Sequence, residues 1–177
     1  MATRNSNHPR VAILTVSDRS ANAEREDLSG PVMAAALTEM LGWACAATAT
    51  VSDSHDQIRA QLCHWVDYDD MQLILTTGGT GLAPRDVTPE ATLSAIERGA
   101  PGLVEAIRAA SLDITPYAML SRAVAGIRAK CLIINLPGNP KAVREALAVL
   151  APVLQHALDV LSGGPTTELH ARRPSPA

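Results

Sequence analysis

The chain contains no phenylalanine, and two tryptophans and two tyrosines are its only other aromatic ring systems besides histidine. Its core must be assembled from Ala, Leu, Val and Ile, and the stacked aromatic platforms that hold single-stranded nucleic acid are not expected. Lysine is nearly absent, with Lys130 and Lys141 alone, and fifteen Lys and Arg against eighteen Asp and Glu leave a net charge of -3. A general nucleic-acid binder needs an excess of positive charge, so no nucleic-acid partner is expected. No unbroken apolar run approaches the ~18 residues of a membrane span, and the polar first ten residues hold no apolar signal core, so no membrane partner is expected. The three cysteines, Cys45, Cys63 and Cys131, are odd in number and far apart, with no C-x-x-C pair. They read as free thiols in a reducing cytoplasm. The histidines form no metal spacing, and no serine sits in G-x-S-x-G, which leaves covalent catalysis without support. What is present is a hydrophobic fraction of 47% with 19% charged residues in 177 residues, the balance of one folded domain.

Apolar runs alternate with helical periodicity. Val11–Val16, Trp43–Val51, Met71–Thr77 and Cys131–Leu136 read as strands, with a short strand within Ala123–Ile127. Val32–Leu41 reads as a helix with Pro31 in its first turn and Gly42 at its stop. A second helix opens at Asp53 and Ser54, with Ile58, Leu62 and Trp65 or Val66 inward. A third opens at Thr88-Pro89-Glu90, with Thr88 as its N-cap. Leu103–Leu112 and a long final helix follow, the latter with Val143, Leu147, Leu150, Leu154, Leu158 and Leu161 on one stripe and a kink expected at Pro152. The fold class is α/β, with a mostly parallel sheet and helices on both faces. Residues 10–163 form a single domain in this reading, between flexible tails at 1–9 and 164–177.

In a parallel sheet all strand C-termini share one rim, where ligands bind. The loops there are Ser17-Asp18, Ser52-Asp53, Thr76 to Gly81, and Pro137-Gly138-Asn139-Pro140-Lys141. Gly78, Gly79 and Gly81 let backbone N–H groups approach an anion, and Thr77 and Thr80 add hydroxyls, so this loop reads as a phosphate cradle. It is neither a Walker A loop nor a dinucleotide fingerprint. Asp86 is either a Mg²⁺ ligand or an Asx turn before the next helix, and Asp53 either a rim carboxylate or a helix cap. Ser121-Arg122 suits a phosphate, with a surface turn as the alternative, and Lys141 either reaches an anion or is solvated. Asn135, near the end of a buried strand, reads as a structural network residue.

The run Thr76-Thr-Gly-Gly-Thr-Gly-Leu-Ala-Pro-Arg-Asp-Val-Thr-Pro-Glu-Ala-Thr92 resembles the signature of the MoaB/Mog family. Met119–Arg128, Leu132–Lys141, Val16–Arg19 and Asp27–Pro31 resemble its other blocks, and the likeness covers about residues 10–163. Within the family the chain is most similar to molybdopterin adenylyltransferases. The resemblance implies the three-layer molybdopterin-binding fold, a homotrimer, and molybdenum cofactor biosynthesis. It implies transfer of AMP from Mg-ATP to the terminal phosphate of molybdopterin, with release of pyrophosphate and hand-over to a molybdate-insertion protein. The alternative is a non-catalytic MoaB-type protein that only binds molybdopterin. Carried over by position, it places catalytic and metal-linked carboxylates at Asp53 and Asp86, the phosphate loop at Gly78, Gly79, Thr80 and Gly81, and a substrate contact at Ser121. Ser17, Asp18, Thr77, Pro137, Gly138 and Asn139 complete the expected substrate and nucleotide site. The charged loop from Ser20 to Asp27 and the end from Pro165 to Ala177 have no clear counterpart.

Overall fold

The computed structural model describes residues 8–24 and 26–163. Nearly all of both expected tails therefore lies outside the described residues. Six strands form one sheet in the order β2-β1-β3-β6-β5-β4, with β1 (Val11–Val16), β2 (Cys45–Val51), β3 (Leu73–Thr77), β4 (Arg98–Gly99), β5 (Ala125–Arg128) and β6 (Cys131–Leu136). The neighbours β2-β1, β1-β3 and β3-β6 are parallel, while β5 pairs antiparallel with both β6 and β4. Strands β1, β3 and β6 are buried along their whole length, as continuous apolar runs dictate for a sheet covered on both faces. The alternating exposure of β2 reflects its place at the edge.

Because side chains alternate across a strand, each central strand feeds two cores. Val11, Ile13, Leu73, Leu75, Leu132, Ile134 and Leu136 pack with α2 (Ser29–Leu41), α5 (Pro101–Leu112) and α6 (Pro140–Ser162). Ala12, Leu14, Ile74 and Ile133 pack on the other face with α3 (His55–Asp67) and α4 (Thr88–Ala95). A four-residue α1 (Asp18–Ala21) follows β1, and a 3₁₀ helix spans Pro116–Leu120. The helices after β1 and β3 lie on opposite faces, so the crevice between these strands opens at their C-terminal ends. This is the switch point at which open α/β sheets bind ligands.

By length and composition α6 is the one helix among the described residues able to cross a membrane, which a search for unbroken apolar runs does not register. Its Val143, Ala146, Leu147, Leu150, Leu154 and Leu158 are buried on the sheet, so it is a core helix. Pro152 lies inside it, and the helix runs on to Ser162.

All three cysteines are free thiols. Burial pushes the Cys131 thiol up to about 12. A thiol whose folded value is raised gives stability that is present below the ordinary thiol range and is lost as pH rises through the higher value. The folded protein should therefore lose stability progressively between the ordinary thiol range and pH ~12. Cys131 should stay unlabelled by a thiol reagent at pH 8 while half-buried Cys45 and Cys63 react, and unfolding should expose all three. Mass spectrometry of the labelled peptides checks this.

Candidate functional site

The glycine loop leaves β3 and crosses the end of β1. Gly78 and Gly79 take φ of +97° and +63°, a region that side chains rarely adopt. A Cβ on Gly78 would stand 2.2 Å from the Val16 carbonyl oxygen. Among the described residues, no protein acceptor takes the N–H groups of Gly79, Thr80 or Gly81, as a cradle for an anion requires.

The loop is tied down on every side. The Thr77 hydroxyl donates to the Pro137 carbonyl at 2.6 Å, joining it to the loop after β6. The Thr88 hydroxyl donates to the Gly78 carbonyl at 2.9 Å, and the Thr88 N–H donates to the Gly79 carbonyl at 3.1 Å. Thr88 is thus a loop anchor, and the cap position of α4 falls to Val87, which has no side-chain oxygen to offer. Arg122 donates its backbone N–H to the Thr80 carbonyl and its Nε to the Gly81 carbonyl at 2.7 Å. Its other nitrogens reach the Asp86 carbonyl and the Glu90 carboxylate. The guanidinium expected to bind phosphate, or to sit on a surface turn, is a brace across the loop instead. It also holds the Glu90 carboxyl below the ordinary glutamate range.

Arg122→Gln should cost about 1–2 kcal/mol through the lost carbonyl bonds, the half-exposed Glu90 pair adding little. Amide hydrogen exchange over Thr80–Asp86 should quicken while β6 stays protected. In the parent the Glu90 contribution is complete above the ordinary glutamate range and is lost as pH falls through the lowered value.

Two carboxylates flank the loop. Asp53 Oδ2 accepts the Asp18 N–H at 2.8 Å, and Asp18 Oδ1 accepts the Asp53 N–H at 3.0 Å. Asp53 Oδ1 lies 3.3 Å from where a Gly79 Cβ would stand. The cap position of α3 is Ser54, so Asp53 is free of the capping role considered for it. Asp86 Oδ2 accepts the Ala83 N–H at 2.8 Å and lies 2.8 Å from where a Gly81 Cβ would stand. Asp86 therefore bonds back to Ala83 within the loop, where an Asx turn toward the next helix was the alternative, and its carboxylate faces the glycines. Among the described residues no group of three or more His, Cys, Asp and Glu is placed to hold a metal. Two carboxylates beside a bare-amide loop do fit Mg²⁺, which keeps waters and binds through one or two carboxylates together with substrate phosphates.

The first loop serves the second. Ser17 caps α1 by accepting the Ser20 N–H at 3.2 Å, and Asp18 Oδ2 pairs with Arg85 at 2.6 Å. Asp18 thereby spends both oxygens on holding Asp53 and Arg85. Asp27, marked in the sequence only as the start of a family block, accepts the N–H groups of Ser29 and Gly30 and the Thr15 hydroxyl, fixing the start of α2.

Two cavities meet at this rim. The larger, about 430 Å³, is bounded by Gly79, Thr80, Gly81 and Asp86 on one side and by Pro137, Gly138 and Asn139 on another. Ser121 and Arg108 add polar groups, and Val104 and Ile107 an apolar wall. The smaller, about 110 Å³, is lined by Ser17, Asp27, Thr77 and Gly78, and Gly138 borders both. Within this arrangement Asn139 caps α6 by accepting the Ala142 N–H at 2.8 Å. Asn135, fully buried, donates to the Thr76 and Thr92 hydroxyls and accepts the Val124 N–H, the structural role read from its strand position. The Lys141 side chain is 80% exposed and lies 3.7 Å from Glu145.

Residues 12–156 match the family described as probable molybdopterin binding domain. The chain is 42% identical over 154 residues to the molybdopterin adenylyltransferase of Helicobacter pylori strain J99, covering 86% of this chain and 88% of that protein. It is also 42% identical to gephyrin of Dictyostelium discoideum over 90% of its own length, and it spans only 23% of that longer protein. The solved structure of the molybdopterin biosynthesis enzyme MoaB from Thermus thermophilus superposes with a TM-score of 0.82 at 46% identity, covering 90% of this chain and 99% of that one. Sharing the fold and the sequence over most of its length with these proteins, the chain belongs to the molybdopterin-binding-domain family of molybdenum cofactor biosynthesis.

Proposed function

We propose that the chain is a molybdopterin adenylyltransferase. It joins AMP from Mg-ATP to the terminal phosphate of molybdopterin and releases pyrophosphate. The observation that carries this reading is the bare-amide glycine loop set between Asp53 and Asp86 where two cavities meet. A pterin-binding protein alone would have no need of a second carboxylate facing a phosphate cradle.

In the reaction a phosphate oxygen of the pterin forms a bond to the α-phosphorus of ATP, and the bond from that phosphorus to the β-bridging oxygen breaks. Negative charge grows on the departing pyrophosphate. The N–H groups of Gly79, Thr80 and Gly81 bind phosphate oxygens and hold the two reactants in line. Asp53 and Asp86 would hold Mg²⁺, directly or through water, and Asp18 keeps the Asp53 carboxylate turned toward the loop. When bound, Mg²⁺ offsets the charge of the triphosphate. Ser121 donates its hydroxyl to the pterin in the larger cavity, whose apolar wall suits a flat heterocycle.

The enzyme works in the cytoplasm, which its three free thiols suit, and passes its product to a molybdate-insertion protein. It assembles as a homotrimer, supported by the exposed apolar side chains of Ile114, Tyr117 and Met119 beside the cavity. Light scattering should give about three times 18.6 kDa, and a monomer mass independent of concentration would contradict the trimer. The activity is tested by incubating the protein with molybdopterin, ATP and Mg²⁺. Pyrophosphate should appear only when all three are present.

A further inference from the structure

The larger rim cavity has a charge problem. Asp86 and Glu145 both line it, yet the ligand proposed for it carries a phosphate monoester of charge about -1.5 to -2 near neutral pH. Among the described residues Arg108 is the single basic side chain that lines either rim cavity. The other arginines near the site are committed: Arg85 to Asp18, and Arg122 to the glycine loop and Glu90. Among the described residues Arg108 meets no carboxylate at ion-pair distance. One of its terminal nitrogens, Nη2, donates to the Ser121 carbonyl at 3.2 Å and the Ala123 carbonyl at 3.5 Å. Its Nε and Nη1 have no protein acceptor among the described residues. It projects from α5, whose Val104 and Ile107 form the apolar wall of the same cavity.

These facts describe a cation held in place from behind with donors left over. The two carbonyl bonds orient the guanidinium without neutralising it, since carbonyls carry no net charge. They also couple it to the backbone of Ser121. We propose that Arg108 is a substrate-binding residue that anchors the phosphate monoester of the pterin in the larger cavity and supplies the counter-charge the two carboxylates there would otherwise deny it. This assignment rests on the reading that the larger cavity takes the pterin. It adds a specificity element: a pterin lacking its phosphate gains nothing from Arg108.

The test is titration of the protein with molybdopterin, followed by fluorescence, in the absence of ATP and Mg²⁺. Because neither is present, the result is independent of whether adenylyl transfer occurs. Arg108→Gln should weaken binding roughly 10-fold to 100-fold, the scale of a lost charge-assisted hydrogen bond. Arg108→Lys, which keeps the charge, should recover part of that loss and guards against a variant that fails to fold. Added NaCl should weaken binding to the parent more steeply than to Arg108→Gln. The dephosphorylated pterin should bind parent and Arg108→Gln alike, and ATP, titrated separately, should bind both within about threefold. Molybdopterin binding within about twofold of the parent in folded Arg108→Gln would overturn the proposal. So would a penalty that persists on the dephosphorylated pterin, or one that falls mainly on ATP.

Discussion

Asp86→Asn should lower pyrophosphate release by ~100-fold or more, about 3 kcal/mol of lost transition-state stabilisation. The substitution keeps the shape of the side chain, and its amide oxygen still accepts the Ala83 N–H that closes the turn. What disappears is the negative charge beside Gly81. Asp53→Asn should behave alike, because its carboxylate is not spent on capping α3 and its bond to the Asp18 N–H survives as an amide oxygen. Stability should fall by no more than ~1–2 kcal/mol in either variant. Molybdopterin binding should persist, since in this reading loop amides, Ser121 and Arg108, and not the two carboxylates, hold the pterin. Turnover and pterin binding measured on the same folded preparation separate the outcomes. Unchanged turnover would end the assignment of a metal to Asp86, and loss of pterin binding in place of turnover would move Asp86 into the pterin pocket.

Gly78→Ala should destabilise the fold by ~3 kcal/mol or more, at the upper end for a single substitution. The new Cβ would stand 2.2 Å from the Val16 carbonyl oxygen, a backbone atom of a central strand that has nowhere to move, at a φ of +97°. Gly42→Ala is the control. Its φ is +70°, and nothing lies within 4 Å of the added Cβ. It should cost only the ~1 kcal/mol of left-handed strain. The difference between the two midpoints in urea isolates the contact between the glycine loop and β1. Equal losses would mean that the loop relaxes away from the strand.

The central strands and the long helices were legible because continuous apolar runs and 3.6-residue stripes have few alternative explanations. The antiparallel turn between β5 and β6 was not. Its two connecting residues are Ala129 and Lys130, and the left-handed position is taken by Ala129 at φ +50°, without the Gly or Asn that announces such a turn. Helix α1 was missed because four residues hold no periodicity and Ser17 alone marks its start. At the site, the rim and the glycine loop could be read from residue types that follow strands. The partners of Arg122, Thr88 and Arg108 could not, because they are 41 residues away at the Gly81 carbonyl, 10 at the Gly78 carbonyl and 13 at the Ser121 carbonyl, pairings that only the folded chain creates. Asp53 was ambiguous for a related reason. An aspartate ahead of a helix is ordinarily a cap, and only its contact with Asp18 and its closeness to Gly79 separate it from that role.

An adenylyltransferase differs from a protein that merely holds the pterin in whether the α-phosphate of ATP changes partners. The most direct measurement is a single-turnover incubation of excess protein with molybdopterin, Mg²⁺ and ATP labelled at its α-phosphate. The label should move to a pterin product as pyrophosphate is released in equal amount. Molybdopterin bound to the folded protein with all of the label still in ATP would contradict the proposed function.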